Sequence, residues 1–335
     1  MSKSIFILGA NGFIGNALTK RLNEEKKFKI YGIDINNNNL INLIGKKNFI
    51  FKKGDINKNI SWIKNTIKKC DIIIPLVAIA TPNIYVKNPT KIFELDFESN
   101  LKIIKLIVKY KKRIIFPSTS EVYGMNTDKK FNEYKSSLVV GPVHKSRWIY
   151  SISKQLLDRI IIAYAEKKKI KYNIFRPFNW IGPKLDSLKL AQLGNGRVLT
   201  IFINSLLKNK NLVIVGNGSQ ARSFTYLDDG INALVKIIKS DKINGKIFNI
   251  GSPKNNIKIK SFAKLVIKEF NKISNKKYKG KIIKKTELEF YGKGYQDIPT
   301  RVPDISEAKK YLKWKPMFNL QKSVNKTIKS FIESQ

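Results

Sequence analysis

Apolar residues in the first half of the chain switch repeatedly between a period of two and a period of about 3.6, the signatures of strands and helices. The pattern predicts strands over Ser4–Leu8, Phe28–Asp34, Ile72–Leu76, Arg113–Pro117 and Tyr172–Phe175, with a further strand-like stretch before Asp55. It predicts helices over Phe13–Glu25, Ile92–Tyr110 and Trp148–Lys167. Strands that alternate with helices run parallel, because each crossover returns the chain to the same end of the sheet. The expected fold class is therefore α/β, built on a doubly wound parallel sheet. After Arg176-Pro177 the loops lengthen, and shorter helices over Thr200–Lys208, Asp228–Lys239, Ser261–Phe270 and Ser306–Leu312 interleave with short strands. This change predicts one domain over residues 1–175 and a smaller α/β region over 176–335, some segments of which return to the main sheet. The Asn36–Asn39 run reads as a surface turn, and no internal repeat is visible.

Composition narrows the picture. With 335 residues, 42% of them hydrophobic, the chain can bury a sizeable core. The longest apolar run, Ile72–Ala80, is broken by Pro75 and too short to span a bilayer, so no membrane insertion is expected and a cytoplasmic location is. The single cysteine, Cys70, excludes an internal disulfide, and the single histidine, His144, leaves no His/Cys cluster for zinc, so no metal is expected. The net charge of +41 raises nucleic-acid binding. Lysines are nevertheless scattered among Ile and Asn through nearly every segment, with no basic tail and no interleaved aromatic platform. Non-specific attraction to polyanions in dilute salt is expected, and a specific nucleic-acid partner is not.

Three motifs carry candidate chemistry. "ILGANGFIG" sets Gly9, Gly12 and Gly15 between the first strand and first helix, where small residues let backbone N–H groups approach a pyrophosphate. Such a triplet also suits a plain turn. Asp34, closing the second strand, is where a carboxylate can accept both ribose hydroxyls and repel a 2′-phosphate, which favours NAD over NADP. Asp55-Ile56, after the third strand-like stretch, suits either an adenine edge or a cap. "RWIYSISKQLLDR" places Tyr150 and Lys154 on one face of a helix. An ammonium beside a phenol stabilises the phenolate and so makes a general base. The same spacing suits an ordinary amphipathic helix. "FPSTSEVYG" follows a buried strand with three hydroxyls and Glu121, residue types that also favour a helix start.

In order and spacing, the glycine triplet, Asp34, the Ser-Thr-Ser segment and Tyr-x-x-x-Lys resemble the extended short-chain dehydrogenase/reductase family, whose members act on nucleotide sugars and bind NAD on a Rossmann sheet. Within it, "STSEVYG", "RWIYS", "SKQLLDR", "FRPFNWIGP" and "YGKGYQD" resemble the UDP-glucuronate decarboxylase half of the bifunctional polymyxin-resistance enzymes, which supply aminoarabinose for lipid A. The resemblance covers essentially the whole chain, and no formyltransferase half is expected before Met1.

The resemblance implies that Gly9, Gly12, Phe13, Ile14, Gly15, Asp34, Asp55, Ile56, Tyr150 and Lys154 hold the cofactor. It implies that Thr119 bonds the sugar hydroxyl being oxidised beside Tyr150. Relatives that dehydrate carry an Asp where this chain has Ser120, so the leaving-group acid is absent while Glu121 is kept. That suits a sugar whose C6 is already a carboxylate. Ser120 would orient that carboxylate, and Glu121 would disfavour its charge by repulsion. Arg301, in "YGKGYQDIPTR", is implied as the proton donor or as a clamp on developing charge. Ala80, Tyr85, Arg147, Asn179, Val213, Arg222 and Tyr295 match substrate-contacting positions, Val213 through its backbone only. The Phe178 and Trp180 rings read as core, Asp304 as a helix cap and Trp314 as a packing anchor. The implied reaction is NAD-dependent oxidative decarboxylation of UDP-glucuronate to UDP-4-ketopentose. A UDP-xylose synthase that retains NADH, and an inactive NAD-binding scaffold that associates with nucleic acid through its charge, are the alternatives. A homodimer or higher homo-oligomer built on the helices 92–110 and 148–167 is expected.

Overall fold

The structure, a computed structural model, describes residues 3–334. Its centre is a seven-stranded sheet of β1 (Lys3–Leu8), β2 (Phe28–Asp34), β3 (Phe49–Lys53), β4 (Ile72–Pro75), β5 (Arg113–Pro117), β6 (Tyr172–Pro177) and β7 (Lys246–Ile250). All neighbours run parallel, in the order β7-β6-β5-β4-β1-β2-β3. The order reverses on either side of β1, and such a switch point opens a crevice at the carboxyl ends of the strands.

Alternation along β1 explains why the sheet is covered on both faces. Ile5 and Ile7 pack on one side, with the helices Phe13–Glu24, Leu227–Lys239 and Ser306–Leu312. Phe6 and Leu8 pack on the other, with the helices Ile60–Lys69, Asn100–Lys109 and Trp148–Lys168. A third core, around Phe202, Phe224 and Phe262, joins the helices Val198–Leu207, Ile259–Ser274 and Leu320–Glu333 over a small parallel pair, Leu212–Val215 with Ile282–Lys285. β7 shows how a late segment rejoins the main sheet, in register with β6 from Lys246 opposite Asn173 to Ile250 opposite Pro177.

The structure departs from the expected elements in three of its longer helical stretches, and it adds short helices over Pro82–Lys87, Leu188–Gln192 and Glu287–Tyr291. The helix predicted over 92–110 is not uniform, because Phe93–Ser99 is a π-helical stretch between Pro89–Ile92 and Asn100–Lys109. A widened turn frees carbonyls, and the Asn100 amide answers them by donating to Leu95 and Asp96 as well as to Val77. The helices Ile60–Lys69 and Leu320–Glu333 were not anticipated. Their apolar residues do recur at helical spacing, Ile60, Ile63 and Ile67 in the first and Val324, Ile328 and Phe331 in the second, so the period was present in the sequence. No described helix is long and apolar enough to cross a membrane.

Candidate active site

The glycine loop is built for close approach. Gly9 has φ +83°, and a Cβ on Gly15 would lie 2.1 Å from the Gly9 carbonyl oxygen. Gly12 starts the helix Phe13–Glu24 without a side-chain cap, so the positive end of that helix faces the crevice. Asp34 stands beside the loop at the end of β2, its Oδ2 accepting the Asn11 N–H at 2.9 Å and its Oδ1 the Asn36 N–H at 3.2 Å. Burial pushes its carboxyl up while these backbone bonds pull it down. The Asn36–Asn39 run is more than a surface turn: the Asn11 amide donates to Asn38 Oδ1, and the Asn39 N–H donates to Asn11 Oδ1. The asparagines thus brace the glycine loop against the segment after Asp34. Ile56 is buried, and Asp55 accepts the Asn57 N–H at 2.7 Å in a capping turn. A cradle that any Cβ would fill, next to a carboxylate at a strand end, fits a dinucleotide.

Tyr150 and Lys154 come together on the helix Trp148–Lys168, both at most 5% exposed. The Tyr150 ring stacks on that of Tyr85, with centroids 4.6 Å apart and planes 10° apart. Burial first, then the carboxylates of Asp96 and Glu121, push the phenol well up, and its hydrogen bond with Thr119 pulls it down. Lys154 has no hydrogen-bond partner among the described residues. Its Nζ lies 4.0 Å from Asp96 Oδ1 and 5.0 Å from the centre of the Phe116 ring. Asp96 escaped the sequence reading because nothing marks one Asp in a helical stretch as buried.

The Thr119 side chain caps a short 3-10 turn, Ser120–Tyr123, by accepting the Glu121 N–H at 3.2 Å. The cap reading of this stretch therefore holds, and the turn also aims Glu121 inward. Glu121, implied as a negative charge that repels the sugar carboxylate, is itself held by two guanidiniums. Its Oε2 accepts from Arg147 at 2.7 Å and its Oε1 from Arg301 at 3.3 Å. Arg301 also reaches Ser120 Oγ at 3.4 Å, while its Nε is buried without a hydrogen-bond partner among the described residues. Burial, with Arg222 next in size, lowers Arg301 to about 10. Arg147 donates to the Gln296 carbonyl and lies over the Trp148 and Tyr295 rings, so it touches the pocket through Glu121 and Tyr295.

One cleft collects Ala80, Glu121, Asn179, Val213, Arg222, Tyr295 and Arg301, and the sequence reading missed Arg197 and Asp297, which line it too. Asp297 accepts from Arg222 at 2.5 Å and from the Tyr295 hydroxyl at 3.1 Å. The cations on this wall are thus held by an acid, and Arg222 keeps a fixed aim at the cleft. Asn179 sits at φ +42°, a left-handed position that asparagine tolerates. Phe178, Trp180 and Trp314 are buried as expected, and Asp304 accepts the N–H of Ser306 at the start of its helix. Among the described residues no cluster of His, Cys, Asp and Glu could hold a metal.

The profile of the NAD dependent epimerase/dehydratase family matches residues 5–251. The chain is similar to PbgP3 protein from Burkholderia pseudomallei, at 41% identity over 99% of this chain and 96% of that one, with a TM-score of 0.89. It shares its fold with a UDP-glucuronic acid 4-epimerase from Bacillus cereus, solved with UDP-glucuronic acid and NAD, at 23% identity, 99% and 100% coverage and a TM-score of 0.81. It shares it also with a dTDP-glucose 4,6-dehydratase from Bacillus anthracis solved with NAD, at 20% identity, 99% and 97% coverage and a TM-score of 0.80. The chain belongs to the NAD-dependent epimerase/dehydratase family, enzymes of nucleotide sugars, and its cofactor is NAD.

Proposed function

We propose that this member of the family oxidatively decarboxylates UDP-glucuronate to UDP-4-ketopentose (UDP-β-L-threo-pentapyranos-4-ulose), CO2 and NADH, as a step toward aminoarabinose on lipid A and polymyxin resistance. The observation that carries the reading is the corner formed by Ser120, Glu121 and Arg301. A dehydratase needs an acid beside the leaving hydroxyl, and Ser120 stands there instead. A sugar carboxylate needs hydrogen-bond donors and a cation, and the Ser120 hydroxyl and the Arg301 guanidinium, with its unpartnered Nε, supply both. The 41% identity to PbgP3 protein and the quoted sequence runs support the pathway assignment.

The glycine loop and Asp34 would hold NAD, which, when bound, accepts a hydride from the sugar C4. As a phenolate stabilised by Lys154, Tyr150 takes the proton of the C4 hydroxyl and becomes the phenol, while Thr119 bonds the reacting oxygen. The new carbonyl lies β to the carboxylate, so the electron pair of the breaking C–C bond passes into an enolate as CO2 leaves. Arg301 faces the charge that develops there. Its lowered affinity for protons makes it a better acid than an ordinary guanidinium. A proton added at C5 replaces the one lost to Tyr150, and the reaction balances without an external acid.

Purified protein given UDP-glucuronate and NAD should release CO2 and accumulate free NADH in equal amounts, with UDP-4-ketopentose as the product by mass spectrometry. CO2 without NADH, and UDP-xylose as product, would identify a synthase that returns the hydride. Turnover of a neutral UDP-sugar with none of UDP-glucuronate would overturn the reading altogether.

A further inference from the structure

Lys154 and Asp96 face each other across the core with no other partner for the atoms that meet. Asp96 is wholly buried and Lys154 1% exposed. Lys154 Nζ and Asp96 Oδ1 lie 4.0 Å apart, and neither has a hydrogen bond among the described residues. The other carboxylate oxygen, Oδ2, accepts the N–H of Ile79 at 3.0 Å. Ile79 precedes Ala80 in the cleft wall. Asp96 itself projects from the π-helical stretch, whose extra residue per turn re-aims side chains and recurs at functional sites.

A lone ammonium in such a place would shed its proton, because burial penalises the charged form. After Asp96, Asp158 is the second and smaller attraction that holds the Lys154 charge. Asp158, one turn along the same helix, bonds to Ser118 and Arg176, and the Phe116 ring of β5 supplies only its face. Tyr150 sees Asp96, Glu121 and Tyr85, with Arg197 as the cation of smallest effect. Burial pulls Lys154 down and pushes Asp96 up to about 6, each opposed by the other's charge.

We propose that Asp96 is a positioning residue for the Tyr150–Lys154 pair: its carboxylate keeps the buried Lys154 charged and fixes its side chain beside the phenol. It acts through Lys154, and the proposal rests on reading Tyr150 and Lys154 as the base and its partner. By bonding Ile79 as well, Asp96 joins the cleft wall to the lysine, so the charged pair and the substrate surface are set by one side chain.

Asp96→Asn keeps the shape and the acceptor for Ile79 but removes the charge. Two readouts test it, one of them independent of any substrate. In the ligand-free protein, Lys154 of the variant has a lower folded-state pKa than in the parent. The neutral lysine then costs the fold less as pH rises toward the unfolded lysine value of ~10.4, so stability recovers with pH. Asp96 of the parent is ionised throughout that range. The melting-temperature deficit of Asp96→Asn is therefore expected to shrink between ~pH 7 and ~pH 9.5, and the charge-keeping Asp96→Glu is expected to show no such trend. A deficit constant with pH would mean a merely structural contact and would overturn the proposal.

The second readout is NAD reduction with UDP-glucuronate. Its alkaline limb is expected at least one pH unit lower in Asp96→Asn than in the parent, on the order of tenfold in proton affinity, and near the parent position in Asp96→Glu. A uniform loss at every pH overturns the positioning role. If the parent turns over no UDP-glucuronate, the substrate assignment fails, and the melting experiment alone decides on Asp96.

Discussion

Tyr150, Thr119, Arg301 and Glu121 are spread over the chain, yet their side chains converge, and each has one chemical reason to be where it is. Tyr150→Phe keeps the ring that stacks on Tyr85 and removes only the hydroxyl. UDP-glucuronate should bind as before while NAD reduction falls by roughly 10²–10⁴, the usual worth of a general base. Retention of turnover near the parent rate, measured by NADH absorbance, would remove Tyr150 from the mechanism. Arg301→Met keeps length and burial but deletes the cation where charge develops. Release of CO2 from carboxyl-labelled substrate should drop by on the order of 10²–10³ at nearly unchanged affinity. If affinity collapsed instead and turnover at saturation stayed, Arg301 would be a binding residue only.

Elements, rather than residues, set how firmly this corner is held. The turn Ser120–Tyr123 is tied from behind, since the Tyr123 hydroxyl accepts from Arg176 on β6 and donates to Asn249 on β7. The Asn249 N–H in turn donates to Glu133 Oε1 at 2.6 Å, and the second oxygen of this buried carboxyl has no partner among the described residues. Burial, despite the bond from Asn249, pushes Glu133 up to about 7. The sign follows directly. Between the unfolded Glu value of ~4.3 and the folded value, the native protein holds a proton the unfolded chain has lost, so this group makes stability fall as pH rises through that window and level off above it. Glu133→Gln keeps the acceptor and removes the titration. Its stability relative to the parent should therefore rise by a few kcal/mol, as an order of magnitude, from ~pH 5 to ~pH 8 in urea unfolding. An unchanged difference between the two proteins at both pH values would show that Glu133 is ionised in the fold.

At the scale of the whole molecule, two features act without a dedicated site. The charge of +41 is spread over the surface, and exposed ion pairs such as Lys329 with Glu333 offset little of it, since several other pairs, Arg147 with Glu121 and Arg176 with Asp158 among them, are buried. A diffuse positive field attracts any polyanion and is screened within about 10 Å at ~0.1 M salt. The protein should be retained on heparin or on DNA of any sequence in dilute buffer and released by ~0.5 M salt. Preference for one DNA sequence at matched salt would contradict a field without a reading surface. The second feature is the parallel sheet itself, whose order brings the glycine loop of residues 9–15 and the turn of residues 119–123 to the same edge, where Tyr150 bonds Thr119.

The sequence by itself determined the parallel sheet, the glycine loop with Asp34, and the Tyr150–Lys154 helix face. These depend on local periods and on spacings within one element, which a linear chain displays. Only the tertiary structure decided that Glu121 lies between Arg147 and Arg301, that Asp297 holds Arg222, and that Asp96 is the charge opposite Lys154. Glu121 and Arg301 are far apart in the chain and belong to different elements, so no spacing announces their contact. The π-helical stretch, too, followed from packing: Asn100 bonds carbonyls on two segments, and the helical period alone cannot register one added residue. Burial decided the rest, because an Asp in water and an Asp in the core are the same letter, and only the fold removes the water that makes them behave alike.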